Sequence, residues 1–243
     1  MAGAADHAGP GLEGSDLDGV DTVLLDAGGV LLLPNPEALR KVLAPFGLHV
    51  TDEEARFAHY SCMAELDRIG VLDWPAVDRH LAATLGVPDD RLDDVVEAIE
   101  ALYLHEPWVP VDGAAEALLR LQAGGFRLAV VSNATGTIED QLHEGRICSV
   151  HGGAVARVEV VIDSHVVGVE KPDPAIFGLA LDAIGSGPDS CLYIGDTVFF
   201  DVTGARAAGI RVVHTDPYSL CRSEVHHPHV ASLEELARRL TAA

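Results

Sequence analysis

Lysine is almost missing from this chain: Lys41 and Lys171 are the only two in 243 residues, and Lys+Arg number 16 against 38 Asp+Glu. The formal charge of -22 opposes binding to a phosphate backbone unless basic residues cluster, and no such cluster occurs. Nucleic acid is therefore not an expected partner. No segment approaches the roughly 20 consecutive apolar residues of a membrane span, so no membrane partner is expected either. The first 18 residues lack the basic start and apolar centre of a secretion signal and are rich in Gly, Ala and Asp, which predicts a disordered tail. The four cysteines, Cys62, Cys148, Cys191 and Cys221, are widely spaced with no C-x-x-C pair. That pattern indicates neither a zinc site nor a redox motif, and it suits a reduced, cytoplasmic protein. Internal repeats are absent as well.

What remains is a length suited to one substantial domain, or to a core with a smaller insert. Short apolar runs rich in Val, Ile and Leu occur from Val20 to Leu25, Arg127 to Val131, Val158 to Ile162, Leu192 to Ile194 and Ile210 to Val213. Their apolar character is continuous rather than alternating, as in parallel strands covered by helices on both faces. Strand followed by helix, repeated, predicts an α/β fold with a doubly wound parallel sheet. Residues 35–108 hold no convincing strand. Pro36 and Gly47 bound one helix there, Thr51 with Glu54 forms a capping box for the next, and two more run from Trp74 to Leu85 and from Pro88 to Leu104. The expected organisation is a tail over 1–18, an α/β core over 19–34 and 109–243, and a helical insert over 35–108. Ser232 and Glu235 read as a capping box for a last helix through Leu240.

Four chemistry-bearing segments fall at predicted strand ends. The first is Val23-Leu24-Leu25-Asp26-Ala27-Gly28-Gly29, a buried strand ending in a carboxylate where open α/β sheets place reacting groups. Next, Leu128 to Asn133 ends in the hydroxyl of Ser132 and the amide of Asn133, both suited to a phosphoryl oxygen. The third, Glu170-Lys171-Pro172-Asp173-Pro174, puts one of the two lysines at a helix mouth. The fourth is Tyr193-Ile194-Gly195-Asp196-Thr197, with Asp201 five residues after Asp196. In this order, and with a helical insert after the first, the four segments resemble the motifs of the haloacid dehalogenase-like (HAD) hydrolases across most of the chain.

The resemblance implies a Rossmann-like core with a helical C1 cap that closes over the site, and a phosphatase-type reaction on a small phosphorylated, anionic substrate. Asp26 would be the nucleophile of an aspartyl intermediate. Mg²⁺ would be held by the carboxylates of Asp26 and Asp196 and by the carbonyl of Gly28. Lys171 would pair with Asp26 and the transferring group, Ser132 and Asn133 would bond phosphoryl oxygens, and Asp201 would orient Lys171 or a metal-bound water. Backbone N–H groups of Ala27, Gly28 and Gly29 would complete the cradle.

Gly28 departs from the family pattern, in which phosphatases carry a second aspartate that protonates the leaving alkoxide and then activates water. Its absence is expected to remove roughly 10²- to 10⁴-fold, about 3–5 kcal/mol of barrier, while positioning and charge stabilisation remain. Glu65, Asp67, His80 or His105 of the insert are candidate surrogate acids. Gly28 also leaves open a metal-free dehalogenase, a phosphonatase using a cap lysine, for which Lys41 is the sole candidate in the insert, and a non-catalytic binding protein. The Gly195-Asp196-Thr197 segment resembles the metal-binding form rather than the dehalogenase form. His226-His227-Pro228-His229 reads as an exposed loop away from the strand-end motifs, because Pro228 interrupts any helix.

Overall fold

The structure is a computed structural model that describes residues 11–242, apart from the side chains of residues 103–105. Six parallel strands, β1 Thr22–Leu25, β2 Arg127–Ser132, β3 Val161–Asp163, β4 Cys191–Gly195, β5 Arg211–Thr215 and β6 His229–Val230, form one sheet in the order β6-β5-β4-β1-β2-β3. Val23 and Leu25 pack into the core on one face while Leu24 packs into the core on the other, so β1 must be apolar without interruption. The chain leaves β1 to either side, towards β2 and β4, and this reversal opens a crevice beyond the carboxyl ends of the three strands.

Among the described residues, nine α-helices of five or more residues flank this sheet or form the insert: α1 Pro36–Leu43, α2 Asp52–Ile69, α3 Trp74–Thr84, α4 Leu92–His105, α5 Ala114–Ala123, α6 Ile138–Glu144, α7 Ala175–Ile184, α8 Thr203–Ala207 and α9 Leu233–Leu240. Leu118 and Leu121 of α5 and Leu236 and Leu240 of α9 cover one face of the sheet, and Ile176 and Phe177 of α7 cover the other. Helices α1 to α4 pack around a separate core that includes Leu43, Leu66, Leu81 and Ile99. Each such side chain contributes roughly 1.5–3 kcal/mol by leaving water, enough for the four helices to hold one another. Thr51 and Glu54 cap the start of α2 reciprocally, and Gly70 ends it with φ 68°, a left-handed conformation that glycine takes without a Cβ penalty. Leu32–Leu33 pairs antiparallel with Val109–Pro110, which ties the two crossings between the helical unit and the sheet together.

Several expectations are corrected. Residues 11–18, expected in a disordered tail, are seated: Leu12 is buried in the core, and Arg211 and Arg239 donate to the carbonyls of Asp16, Asp18 and Leu12. The strand expected from Val158 begins only at Val161, and α4 begins at Leu92 after a tight turn at Asp89–Arg91. Ser232 caps α9, but Glu235 reaches the backbone N–H of Ala231 rather than that of Ser232, at 2.8 Å. His226 is exposed as expected, whereas His227 is buried at 1% exposure and His229 turns inward beside it. No described helix is long and apolar enough to cross a membrane.

Candidate active site

Asp26 leaves the end of β1 into the crevice, and Lys171 meets it there. The Lys171 Nζ lies 2.8 Å from Asp26 Oδ1, 2.7 Å from Asp201 Oδ1 and 3.0 Å from the Tyr193 hydroxyl. Burial works against the ammonium charge, but the carboxylates of Asp201 and Asp26 outweigh it and hold the Lys171 pKa above its ordinary value. Burial is also the largest influence on Asp26 and lifts it to about 7, with Lys171 opposing and the nearby Asp201 and Asp196 carboxylates adding. Asp201 is buried too, yet Lys171 together with hydrogen bonds from Thr197 and Tyr193 keeps its pKa low. Its oxygens accept from Lys171, Tyr193 and the N–H and hydroxyl of Thr197, which makes Asp201 the anchor of the lysine.

Ser132, at the end of β2, is 4% exposed and its hydroxyl has no protein partner among the described residues. Asn133 also holds the backbone of Lys171, accepting from its N–H at 2.7 Å and donating to its carbonyl at 2.9 Å. The residue lines the same cavity as Ser132 and Lys171, and its amide carries a second N–H. The turn after Asp26 is likewise only partly available: Ala27 N–H bonds Asp26 Oδ1 and Gly29 N–H bonds the Leu32 carbonyl, leaving Gly28 N–H and the Gly28 carbonyl without partners among the described residues. Gly29 has φ +65°, and a Cβ there would lie 1.9 Å from Asp196 Oδ2, so glycine is what lets Asp196 close on the turn. Gly29→Ala is expected to lose about 1–3 kcal/mol of stability in urea unfolding. Gly28→Ala, whose Cβ meets nothing nearer than the Trp108 ring at 3.5 Å, should stay close to the parent.

Helix α2 brings two residues that the sequence reading missed, His59 and Tyr60, together with Asp67, which it named for another role. His59 Nε2 lies 3.1 Å from Asp196 Oδ2, the Tyr60 hydroxyl donates to the Gly29 carbonyl at 2.6 Å, and Asp67 accepts from the N–H groups of Val198 and Phe199 at 2.8 and 2.7 Å. One helix of the insert thus grips both the turn after β1 and the turn after β4. A cavity of about 530 Å³ lies between, walled by Asp26, Gly28, Ser132, Lys171 and Asp196 on the sheet side and by His59, Trp74 and Asp78 on the helical side. Asp78 is buried, has no hydrogen-bond donor among the described residues, and is lifted to about 7 by burial and by Glu100 beside it.

The expected surrogate acids are placed elsewhere. Glu65 is held by Arg68, His80 by Ser61, and Asp67 by the backbone of the β4 turn. The His105 side chain lies outside the described residues. Lys41 is exposed on α1 and is not part of the cavity wall. Asp26, Asp196 and Asp201 each bring a carboxylate oxygen within 4.8 Å of the others, an acidic cluster able to hold a cation.

The model of the haloacid dehalogenase-like hydrolase family matches residues 20–209. A phosphoserine phosphatase from Thermus thermophilus is 30% identical over 164 residues, 67% of this chain and 63% of that protein. The match thus spans less than two thirds of the Thermus protein's length. A phosphoglycolate phosphatase from Rhodospirillum rubrum is 34% identical over 202 residues, 79% of this chain and 77% of the other. Among solved structures, the HAD-hydrolase YfnB from Bacillus subtilis bound to magnesium superposes with a TM-score of 0.60 at 20% identity, covering 91% of this chain and 98% of that one. A dehalogenase with an intermediate complex superposes at 0.59 and 19% identity, covering 90% and 96%. These structural likenesses support the fold.

Proposed function

Because the chain belongs to the haloacid dehalogenase-like hydrolases, we propose that it is a phosphatase of that family which transfers a phosphoryl group from a small phosphorylated metabolite to Asp26 and then to water. The observation that carries this reading is the pairing of Asp26 with Lys171 at the end of β1, beside Asp196 and a Gly28 carbonyl that has no partner among the described residues. A metal-free dehalogenase would have to keep three buried carboxylates together around one lysine, which electrostatics disfavours.

The carboxylates of Asp26 and Asp196 and the Gly28 carbonyl are an all-oxygen donor set that fits Mg²⁺. Bound there, the ion would neutralise the crowded carboxylates and the phosphoryl oxygens. Lys171 and the Ala27 N–H fix one oxygen of Asp26 and so aim the carboxylate. As Asp26 forms its bond to phosphorus, the bond from phosphorus to the leaving oxygen breaks, and Lys171 offsets the charge on the transferring group. The Ser132 hydroxyl and the Gly28 N–H donate to phosphoryl oxygens. Water then attacks the phosphorus, the bond from phosphorus to the Asp26 oxygen breaks and restores the carboxylate, and inorganic phosphate leaves while the water's proton passes to the departing phosphate or to solvent. No side chain at position 28 supplies a proton, so leaving groups that are stable as anions are favoured.

The test is turnover across aryl, acyl and sugar phosphates, phosphonoacetaldehyde and a 2-haloacid, with and without chelator. We expect the aryl and acyl phosphates to be hydrolysed fastest, with activity lost to chelator and restored by Mg²⁺. Chelator-insensitive turnover of the haloacid would overturn the reading in favour of a dehalogenase. Turnover of none would leave a binding protein.

A further inference from the structure

At the Asp196 carbonyl, and outside the wall of the cavity, a second constellation takes no part in the phosphatase reaction. His214 on β5, Cys221 in the loop that follows, His227, and His229 at the start of β6 each bring a donor atom within 4.8 Å of the others. His214 is 4% exposed and His227 1%. His214 Nδ1 lies 3.0 Å from His227 Nε2, and Cys221 Sγ lies 3.7 Å from that same nitrogen. The rings of His227 and His229 stack with centroids 4.5 Å apart.

The outer nitrogens settle where the hydrogens are. His214 Nε2 lies 3.0 Å from the Asp196 carbonyl oxygen, and His227 Nδ1 sits against the Val225 carbonyl oxygen. A carbonyl only accepts, so both of these nitrogens carry the hydrogen. In the neutral rings, the two nitrogens that face each other are then both lone pairs, and they converge with a sulfur. His229 Nδ1 faces Asp216 Oδ2 at 3.4 Å, which turns its other nitrogen to the same role. Every ring is thus backed by a carbonyl or a carboxylate, the support that metal-ligating histidines have. Cys221 Sγ stands among these rings, and as a thiolate it would be the fourth donor.

We propose that His214, Cys221, His227 and His229 hold a structural Zn²⁺ ion. Three imidazoles and one thiolate are a closed tetrahedral set, and Zn–N near 2.0–2.1 Å with Zn–S near 2.3 Å places donor atoms roughly 3.3–3.6 Å apart. The observed 3.0 and 3.7 Å need shift by only a few tenths of an ångström. With four protein ligands no position stays open for substrate, so the ion is structural. Its effect reaches the cavity through His214, which donates to the Asp196 carbonyl and braces the end of β4. The spacing H-x6-C-x5-H-x-H contains no C-x-x-C, which is why the cysteine count gave no sign of it.

The test uses the full chain, stripped with chelator and reloaded with Zn²⁺ or Co²⁺ in excess Mg²⁺. We expect one zinc per chain retained through gel filtration, a Tm several degrees above that of the stripped protein, and a Co²⁺ derivative with intense tetrahedral ligand-field bands and a thiolate-to-cobalt charge-transfer band. Cys221→Ser should lose the charge-transfer band and His229→Gln should weaken zinc binding by about tenfold or more. Asp196→Asn, which alters only the acidic site, should leave the cobalt spectrum unchanged. Failure of the unaltered chain to retain zinc, a weak six-coordinate cobalt spectrum, or a charge-transfer band that survives Cys221→Ser would each overturn the assignment. The spectrum of the unaltered chain decides even where a variant does not fold.

Discussion

Asp26→Asn is expected to lower kcat on an aryl phosphate by 10³-fold or more, an order-of-magnitude expectation for deletion of a covalent nucleophile. The amide is nearly isosteric with the carboxylate and its oxygen still accepts from Lys171 and from the Ala27 N–H, so the loss would come from chemistry and not from displacement. Lys171 keeps its bonds to Asp201 and Tyr193 in the variant. A separate thermal measurement checks the electrostatics. The Asp26 pKa is raised in the folded chain to about 7, above its unfolded value near 4. The stability this gives is present below about pH 4 and is lost as pH rises through 7. In chelator, the Tm of Asp26→Asn should therefore overtake that of the parent as pH climbs through this window. Residual activity within tenfold of the parent would remove Asp26 from the nucleophile's role, whatever the melting curves show.

The strand ends were legible because each sheet residue obeys a local rule. Leu24 and its neighbours must be apolar on both faces, and the polar residue that follows such a run can only stand at the crevice. The contributions of α2 were not legible, because His59 meets Asp196 across 137 positions and only through the packing of the helical unit on the sheet. A faint signal existed: His59, between Ala58 and Tyr60 on the buried side of α2, is a polar residue where the helix otherwise turns inward. Asn133 was found, but its hold on the backbone of Lys171, 38 residues on, has no local signal in the sequence. His214 lies next to the end of β5 and faces the His227 loop only once β5 and β6 pair, so a run of histidines interrupted by Pro228 looked like exposed loop. Residues 11–18 show the same limit, as their order depends on Arg211 and Arg239 far along the chain.

Gly28→Asp is expected to raise turnover of an alkyl phosphate by roughly 10²- to 10⁴-fold, the usual worth of a positioned general acid and base. The backbone permits it: Gly28 has no left-handed φ, and its Cβ would touch only the Trp108 ring, at 3.5 and 3.9 Å. These are ordinary contacts, and Trp108 lines the cavity together with His59, whose ring meets the indole edge-on at 6.1 Å between centroids. The gain should depend on the leaving group. An alkoxide needs the proton and benefits in full, whereas an acyl phosphate expels a stable carboxylate and should change little. A fourth carboxylate beside Asp26, Asp196 and Asp201 also adds negative charge to a buried site, so the variant should need more Mg²⁺ for half-maximal rate. If alkyl turnover stays flat, Gly28→Asp combined with Trp108→Ala distinguishes a blocked side chain from an irrelevant one, because removal of the indole frees the carboxylate to turn. A fall for all substrates in both variants would mean that the substrate itself approaches the backbone at Gly28, and that the missing aspartate is the condition for binding it.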